Sequence, residues 1–177
     1  EKIATTAPLH YLARAASVSE RSNEHVHGIL GRLPEKYRKS FEQSLLVVQA
    51  HLDERGAVMA SLDSSLRNHP QDDAYTFCWP RDAVYALWPL LRLGYSLPLF
   101  RFFTFAEKNI HPEGFMYHKY RADGSLGSTW LPYEQPDGQV RPPIQADETA
   151  SVLFLLGQYY RHTNDQRFVV TYYETLV

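Results

Sequence analysis

At 177 residues, the chain is long enough for one domain with a sizeable hydrophobic core. Its formal net charge of −2 offers no basic surface of the kind that binds nucleic acid or an anionic membrane. A single cysteine, Cys78, excludes an internal disulfide framework, and no apolar run reaches the roughly 18 residues of a membrane span. We therefore expect neither a nucleic-acid partner nor a membrane partner.

The first 33 residues carry mixed helical signals, interrupted by Gly28 and Gly31. We interpret residues 1–33 as a lead-in or linker segment and residues 34–177 as part of one helical domain. No secretory leader is visible, which slightly favours the cytoplasm. The chain begins with Glu1 rather than Met, however, so the sequence leaves the compartment open.

The first clear helix is predicted to begin at Pro34, because proline is favoured in a first helical turn. Its apolar residues recur at the spacing of a one-sided helix: Phe41, Leu45, Val48 and Leu52. Gly56 is predicted to end this helix as a glycine cap. A loop with a short strand at residues 57–60 should follow.

A second helix is predicted over residues 81–93, with apolar side chains around nearly its whole circumference. Pro89 should bend this helix locally, and Gly94 should cap its end. A third helix is predicted over residues 96–108, with Pro98 in its first turn.

Residues 109–147 form a long connection that is rich in Gly, Pro and Asp turn signals. An alternating piece at residues 115–120 predicts a hairpin, and a connection of this length is typical of a functional loop. A fourth helix, again apolar all round, is predicted over residues 147–161. A fifth helix should begin near Asp165, with one apolar face made of Val169, Tyr172, Tyr173 and Leu176.

The helices therefore alternate between one-sided and fully apolar patterns along the chain. This order predicts an all-α fold, in which one-sided outer helices and buried inner helices form a two-layer toroid. The long loop, with its short β pieces, should lie at one end of the inner helices and build the site there.

The strongest functional signal is the stretch Tyr-Thr-Phe-Cys-Trp-Pro-Arg-Asp at residues 75–82. Arg81 and Asp82 supply forked donors and a carboxylate acceptor beside the flat rings of Tyr75 and Trp79. Sugar hydroxyls need paired polar partners and sugar C–H faces pack on aromatic rings, so this pattern predicts a sugar site. An ion pair that caps the helix, with aromatic residues in the core, is the alternative.

Three blocks in matching order resemble glycoside hydrolase family 15, the glucoamylase and glucodextranase family. They are Trp79-Pro80-Arg81-Asp82, residues 117–130, and Pro143-Ile144-Gln145-Ala146-Asp147-Glu148-Thr149-Ala150. The resemblance covers about residues 34–177 and implies an (α/α)6 barrel of twelve helices. Twelve average helices with short connections need roughly 180–220 residues, so we expect a fragment with about five helices, which pairs with a missing C-terminal half.

The resembled family hydrolyses α-glucosidic bonds at non-reducing chain ends with inversion of configuration. Such an enzyme uses one carboxylic acid to protonate the leaving oxygen and one carboxylate to activate water. The resemblance implies that both glutamates lie beyond Val177, so we expect no catalytic residue here and an inactive isolated chain. It implies an α-glucan or oligosaccharide as substrate, with no metal and no other cofactor.

The resemblance also suggests roles for individual residues. Arg81 and Asp82 would grip the terminal glucose, Tyr75 would line the first subsite, and Trp79 would be a platform or a packing residue. Outer subsites would be lined by Trp130, Tyr133 and Glu134, and the site would be supported by Gln145, Asp147 and Glu148.

Asp147 is expected to be an N-cap or a loop-orienting residue, and Glu148 to lie in the first turn of its helix. Consecutive helical residues point about 100° apart, so these two carboxylates cannot address one glycosidic bond together.

Other functions remain open at this stage. One is a non-catalytic sugar-binding or regulatory module, similar to the family-like barrels in the regulatory subunits of phosphorylase kinase. Within the family, trehalose and α-1,6-linked glucans are alternative substrates. A generic helical toroid acting on another sugar, such as a polysaccharide lyase, is disfavoured by the Trp-Pro-Arg-Asp block.

Overall fold

The computed structural model describes residues 26–62, 75–127, 133–134, 138, 140–141 and 144–176. This part of the chain contains helices α1 (described over residues 26–30), α2 (Glu35–Ala50), α3 (Pro80–Arg92), α4 (Leu97–Asn109), α5 (Ala146–Thr163) and α6 (Gln166–Leu176). Two strands of two residues each, β1 (Tyr133–Glu134) and β2 (Val140–Arg141), pair antiparallel. The protein is all-α, as predicted, and none of the described helices is long and apolar enough to cross a membrane.

Helices α3 and α5, the two predicted inner helices, pack against each other more extensively than any other pair of described helices. Leu87 and Leu90 of α3 and Leu155 of α5 are among the side chains that this packing buries. The prediction that these helices are buried on nearly all sides was wrong, because Tyr85 of α3 and Phe154 of α5 are exposed. Each helix thus has one open face in the described part of the chain, and the closed toroid stays a prediction.

The end of helix α3 is capped by the predicted glycine, Gly94. Gly94 has φ +83°, and its N–H donates to the Leu91 carbonyl at 3.0 Å, while the Tyr95 N–H donates to the Leu90 carbonyl at 2.9 Å. These two bonds form a Schellman motif, which satisfies carbonyls that the helix end would otherwise leave open. The predicted cap is confirmed.

An aromatic cluster joins α4, α5 and α6. The Tyr159 and Phe168 rings stack with centroids 3.9 Å apart, and Phe103 lies 5.4 Å from Phe168 and 5.6 Å from Tyr172. Tyr172 is buried, as predicted for the apolar face of α6, but Tyr173 is exposed. The face predicted for the fifth helix was therefore too wide.

Helix α2 ends at Ala50, before the predicted glycine cap. Leu52 leaves the helix to form a single antiparallel bridge with Val58, which takes the place of the strand predicted over residues 57–60. Gly56 lies in the turn between them, where its N–H donates to the Asp53 carbonyl. The glycine signal was right about a left-handed residue but wrong about the element that it ends.

Gly56 is also a point of close approach between this turn and α4. A Cβ at Gly56 would lie 2.1 Å from the Arg101 carbonyl oxygen, at a φ of +105°. We expect Gly56→Ala to lower the free energy of unfolding by about 2–3 kcal/mol, because strain and overlap add. Gly114→Ala is the control, since Gly114 has φ +82° with no atom within 4 Å, and should cost about 1 kcal/mol. If urea unfolding showed equal losses of unfolding free energy in the two variants, the close approach would be contradicted.

The connection after α4 brings the starts of α3 and α5 together. Tyr117 bridges Ile144, just before α5, and Tyr120 bridges Cys78, just before α3. The hairpin predicted at residues 115–120 was right only for the end of the segment, where Tyr120 forms an antiparallel bridge with Leu126. Tyr117 and Tyr120 also pair with distant parts of the chain, which the prediction did not include. The local turn lies slightly later, where the Arg121 N–H donates to the Ser125 carbonyl.

Candidate functional site

The first turns of α3 and α5 meet around the guanidinium group of Arg81. Its Nη1 donates to Asp147 Oδ2 at 2.7 Å and to Gln145 Oε1 at 3.3 Å. Its Nη2 lies 3.6 Å from Glu148 Oε1, and its Nε lies 3.5 Å from Asp82 Oδ1. Four of the predicted site residues, Asp82, Gln145, Asp147 and Glu148, therefore converge on the Arg81 cation.

Glu148 reaches from α5 to the backbone of α3. Its Oε2 accepts a hydrogen bond from the Arg81 N–H at 2.5 Å, one of the donors that a helix start leaves without an intrahelical partner. The Glu148 side chain is 0% exposed. Burial raises the pKa of Glu148 to about 7, although the Arg81 N–H and guanidinium both oppose this rise. The carboxylate is thus a buried link between two helices.

Asp147 is not the N-cap that the sequence suggested. Helix α5 begins one residue earlier than predicted, so Gln145 occupies the N-cap position and Asp147 lies inside the first turn. The hydrogen bond from Arg81 holds the pKa of Asp147 below its usual value and raises the pKa of Arg81. Asp147 therefore orients Arg81 rather than capping its own helix.

An aromatic pair lies just before α3. The rings of Tyr75 and Trp79 have centroids 5.7 Å apart and are tilted by 32°, and Tyr75 is 63% exposed. Trp79 occupies the N-cap position of α3, two residues before Arg81. Tyr75 and Trp79 therefore offer flat apolar faces at the start of the helix that carries Arg81.

One residue of this region, Lys119, was not identified from the sequence. Lys119 is 2% exposed, and its Nζ lies 4.7 Å from the ring centroid of Phe77 and 5.5 Å from that of Trp79. The sequence signal that could have identified Lys119 is a lysine within the alternating aromatic segment at residues 115–120. The neighbouring Cys78 is buried in the core, and this burial raises its pKa to about 12 and keeps the thiol protonated.

The structure therefore brings five of the predicted site residues together in one cluster: Arg81, Asp82, Gln145, Asp147 and Glu148. Two more, Tyr75 and Trp79, form a ring pair just before α3. Trp130 lies outside the described residues. Tyr133 and Glu134 form β1, and their proposed contribution to outer subsites stays a prediction. Within the described part of the chain, no group of three or more His, Cys, Asp or Glu residues is placed to hold a metal ion.

Comparison with known proteins gives two matches. The sequence model of glycosyl hydrolases family 15 matches residues 6–177. An uncharacterized glycosyl hydrolase of Methanocaldococcus jannaschii is 30% identical over 155 residues, which cover 87% of this chain and 22% of that protein. The chain thus spans about a fifth of that relative's length. No solved structure shows a significant match to the chain.

Proposed function

Because this chain belongs to glycosyl hydrolases family 15, we propose that it carries part of the glucose-binding subsite of a glycosidase acting on α-glucans. The parent activity would release glucose from non-reducing chain ends. The observation that carries the proposal is the convergence of Asp82, Gln145, Asp147 and Glu148 on Arg81. The rings of Tyr75 and Trp79, which we name the sugar platform, lie just before the helix that carries Arg81.

The exposure of the polar groups fits a ligand that is bound from solvent. The side chains of Arg81 and Asp82 are 32% and 53% exposed, so both remain accessible while they contact each other. A glucosyl unit packed with a C–H face on Tyr75 would direct its hydroxyls toward this pair. Hydrogen bonds to charged groups are the strong ones, so two such partners would dominate the affinity.

The carboxylates described at this site do not fit the roles of general acid and general base. Glu148 has the raised pKa that a general acid needs, but its side chain is fully buried and contacts Arg81 through both oxygens. Asp82 and Asp147 also contact the Arg81 guanidinium. We propose that the acid and the base are supplied by other residues and that this chain alone does not hydrolyse maltose.

Titration of the isotopically labelled chain with maltose tests the binding role. We expect the amide signals of Arg81 and Asp82 to shift with maltose and not with cellobiose, which has a β linkage. Asp82→Asn should weaken maltose binding about tenfold, because it removes a charged acceptor while keeping the shape.

Glu42→Gln, which removes an exposed charge on α2, is the matched control and should leave the affinity unchanged. Maltose that shifts no signal near Arg81, or an Asp82→Asn variant with full affinity, would contradict the proposed subsite. Glucose release by the purified 177-residue chain would contradict the proposed absence of the acid and base.

A second candidate is a non-catalytic sugar-binding module, which the convergence of polar groups on Arg81 fits equally well. Both candidates bind maltose through the same subsite. Hydrolysis of maltose by the whole protein that contains this chain, with inversion at the anomeric carbon, would support the glycosidase. Binding without hydrolysis in that protein would support the second candidate.

A further inference from the structure

Lys119 is held against the Trp79 ring of the sugar platform by a fixed stretch of backbone. Cys78 and Tyr120 exchange two hydrogen bonds, with the Cys78 N–H donating at 2.8 Å and the Tyr120 N–H donating at 2.9 Å. The neighbours of such a pair lie on the opposite face from it, so Lys119 falls on the same face as Phe77 and Trp79. Its position therefore follows from backbone pairing and not from a flexible loop.

The Lys119 ammonium lies in the corner between two perpendicular rings. The Phe77 and Trp79 ring planes meet at 87° with centroids 6.0 Å apart, and the Lys119 Nζ lies over both rings. A cation over a ring face is attracted by the ring quadrupole, and this attraction strengthens away from water. The most favourable place for the charge therefore depends on the angle between the two rings.

Gly127 makes the room for the Lys119 stem. A Cβ at Gly127 would lie 2.7 Å from Lys119 Cγ and 3.2 Å from Phe77 Cδ1. The Gly127 N–H also donates to the Lys119 carbonyl at 3.1 Å. The chain thus places a charged side chain over the Trp79 ring, where any residue larger than glycine at position 127 would displace it.

An uncharged side chain of similar length would fill this corner without the cost of burying an ammonium group. We propose that Lys119 is a positioning residue for the sugar platform: its ammonium group fixes the tilt of the Trp79 ring, and that tilt sets the affinity for a glucosyl unit. The affinity part rests on the proposed function, whereas the tilt of the ring is measurable without any sugar.

Lys119→Met tests the charge, since methionine keeps much of the stem and removes the ammonium group. We expect the indole N–H resonance of Trp79, assigned with Trp79→Phe, to move, and its cross-relaxation with Tyr75 to change. Maltose affinity should fall about three- to tenfold, in the range of a lost cation–π contact. Lys119→Arg should restore most of the Trp79 resonance position and most of the maltose affinity. Lys39→Met, at an exposed lysine on α2, should change neither the resonance nor the affinity.

Gly127→Ala tests the position of the stem without removing the charge, and it decides the proposal if Lys119→Met does not fold. It should displace Lys119, move the Trp79 resonance and weaken maltose binding. The double variant Gly127→Ala with Lys119→Ala removes the overlap. We expect it to regain stability relative to Gly127→Ala while the resonance and the affinity stay altered.

Three results would overturn the proposal. One is an unchanged Trp79 resonance in Lys119→Met, and another is a Lys119→Arg variant that matches Lys119→Met in every readout. The third is a double variant that recovers the wild-type resonance and affinity, which would make Lys119 a space-filling residue. A wild-type chain that binds neither maltose nor glucose would contradict the proposed function, and the Trp79 resonance would still decide whether Lys119 positions the ring.

Discussion

Replacing Arg81 with alanine is expected to lower the free energy of unfolding by about 3 kcal/mol and to abolish maltose binding. The variant leaves the fully buried Glu148 carboxylate without its cation and removes the hydrogen bonds to Asp147 and Gln145. Removing one partner of a fully buried ion pair typically costs about 3–5 kcal/mol. We expect the lower end, because Arg81 is 32% exposed and solvent screens part of its charge.

Urea unfolding at pH 7, with a maltose titration of the folded variant, measures both effects. Arg92→Ala is the matched control, because Arg92 lies at the other end of α3 and is exposed. It should change the free energy of unfolding by less than about 0.5 kcal/mol. An Arg81→Ala variant that unfolds at the wild-type urea concentration would show that the Arg81 contacts contribute little to stability.

The second large effect is a loss of stability as the pH rises. Glu148 has a pKa of about 7 in the folded protein, against an ordinary value of 4.5. Folded protein therefore binds a proton at Glu148 more tightly than unfolded protein does. This contribution is fully present below pH 4.5 and is lost as the pH rises through about 7. The free energy of unfolding should decrease by about 3 kcal/mol across this window.

Glu148→Gln isolates this effect, because glutamine keeps an acceptor for the Arg81 N–H and does not titrate. Its free energy of unfolding should stay flat where that of the wild type falls. Asp147→Asn is the comparison, since Asp147 has a lowered pKa and loses its stabilising contribution only at lower pH. Asp147→Asn should keep the wild-type slope between pH 4.5 and 7. The same slope in Glu148→Gln would show that another group titrates.

Helix positions were largely predictable, because their limits are set by local chemistry. Pro98 in a first turn and Gly94 just past a helix end gave bounds within one or two residues. The errors arose where residues distant in the sequence determine the local structure. Gly56 carries the left-handed signal of a helix cap, but its conformation serves a turn packed on α4. An apolar pattern likewise does not show which face of a helix stays exposed to solvent, as the Tyr85 face of α3 does.

The site likewise has residues that the local sequence identified and contacts that it did not. Arg81 and Asp82 were identified because a charged pair follows an aromatic cluster in the chain. The bond from the Arg81 N–H to Glu148 spans 67 residues and depends on how the starts of α3 and α5 meet, which no local pattern encodes. Lys119 was missed because its partners, Phe77 and Trp79, lie on a segment that it reaches only through the backbone pairing of Tyr120.

Two of the bridges in the long connection make its segment from Tyr117 to Tyr120 a spacer of fixed length. Tyr117 pairs with Ile144, the residue before the N-cap of α5, and Tyr120 pairs with Cys78, which leads into α3. One residue added between them would displace one bridge against the other by about 3.3 Å, the rise of an extended residue. That displacement exceeds the 2.7 Å contact between Arg81 and Asp147. The number of residues in this segment, as well as their identity, is therefore part of the site.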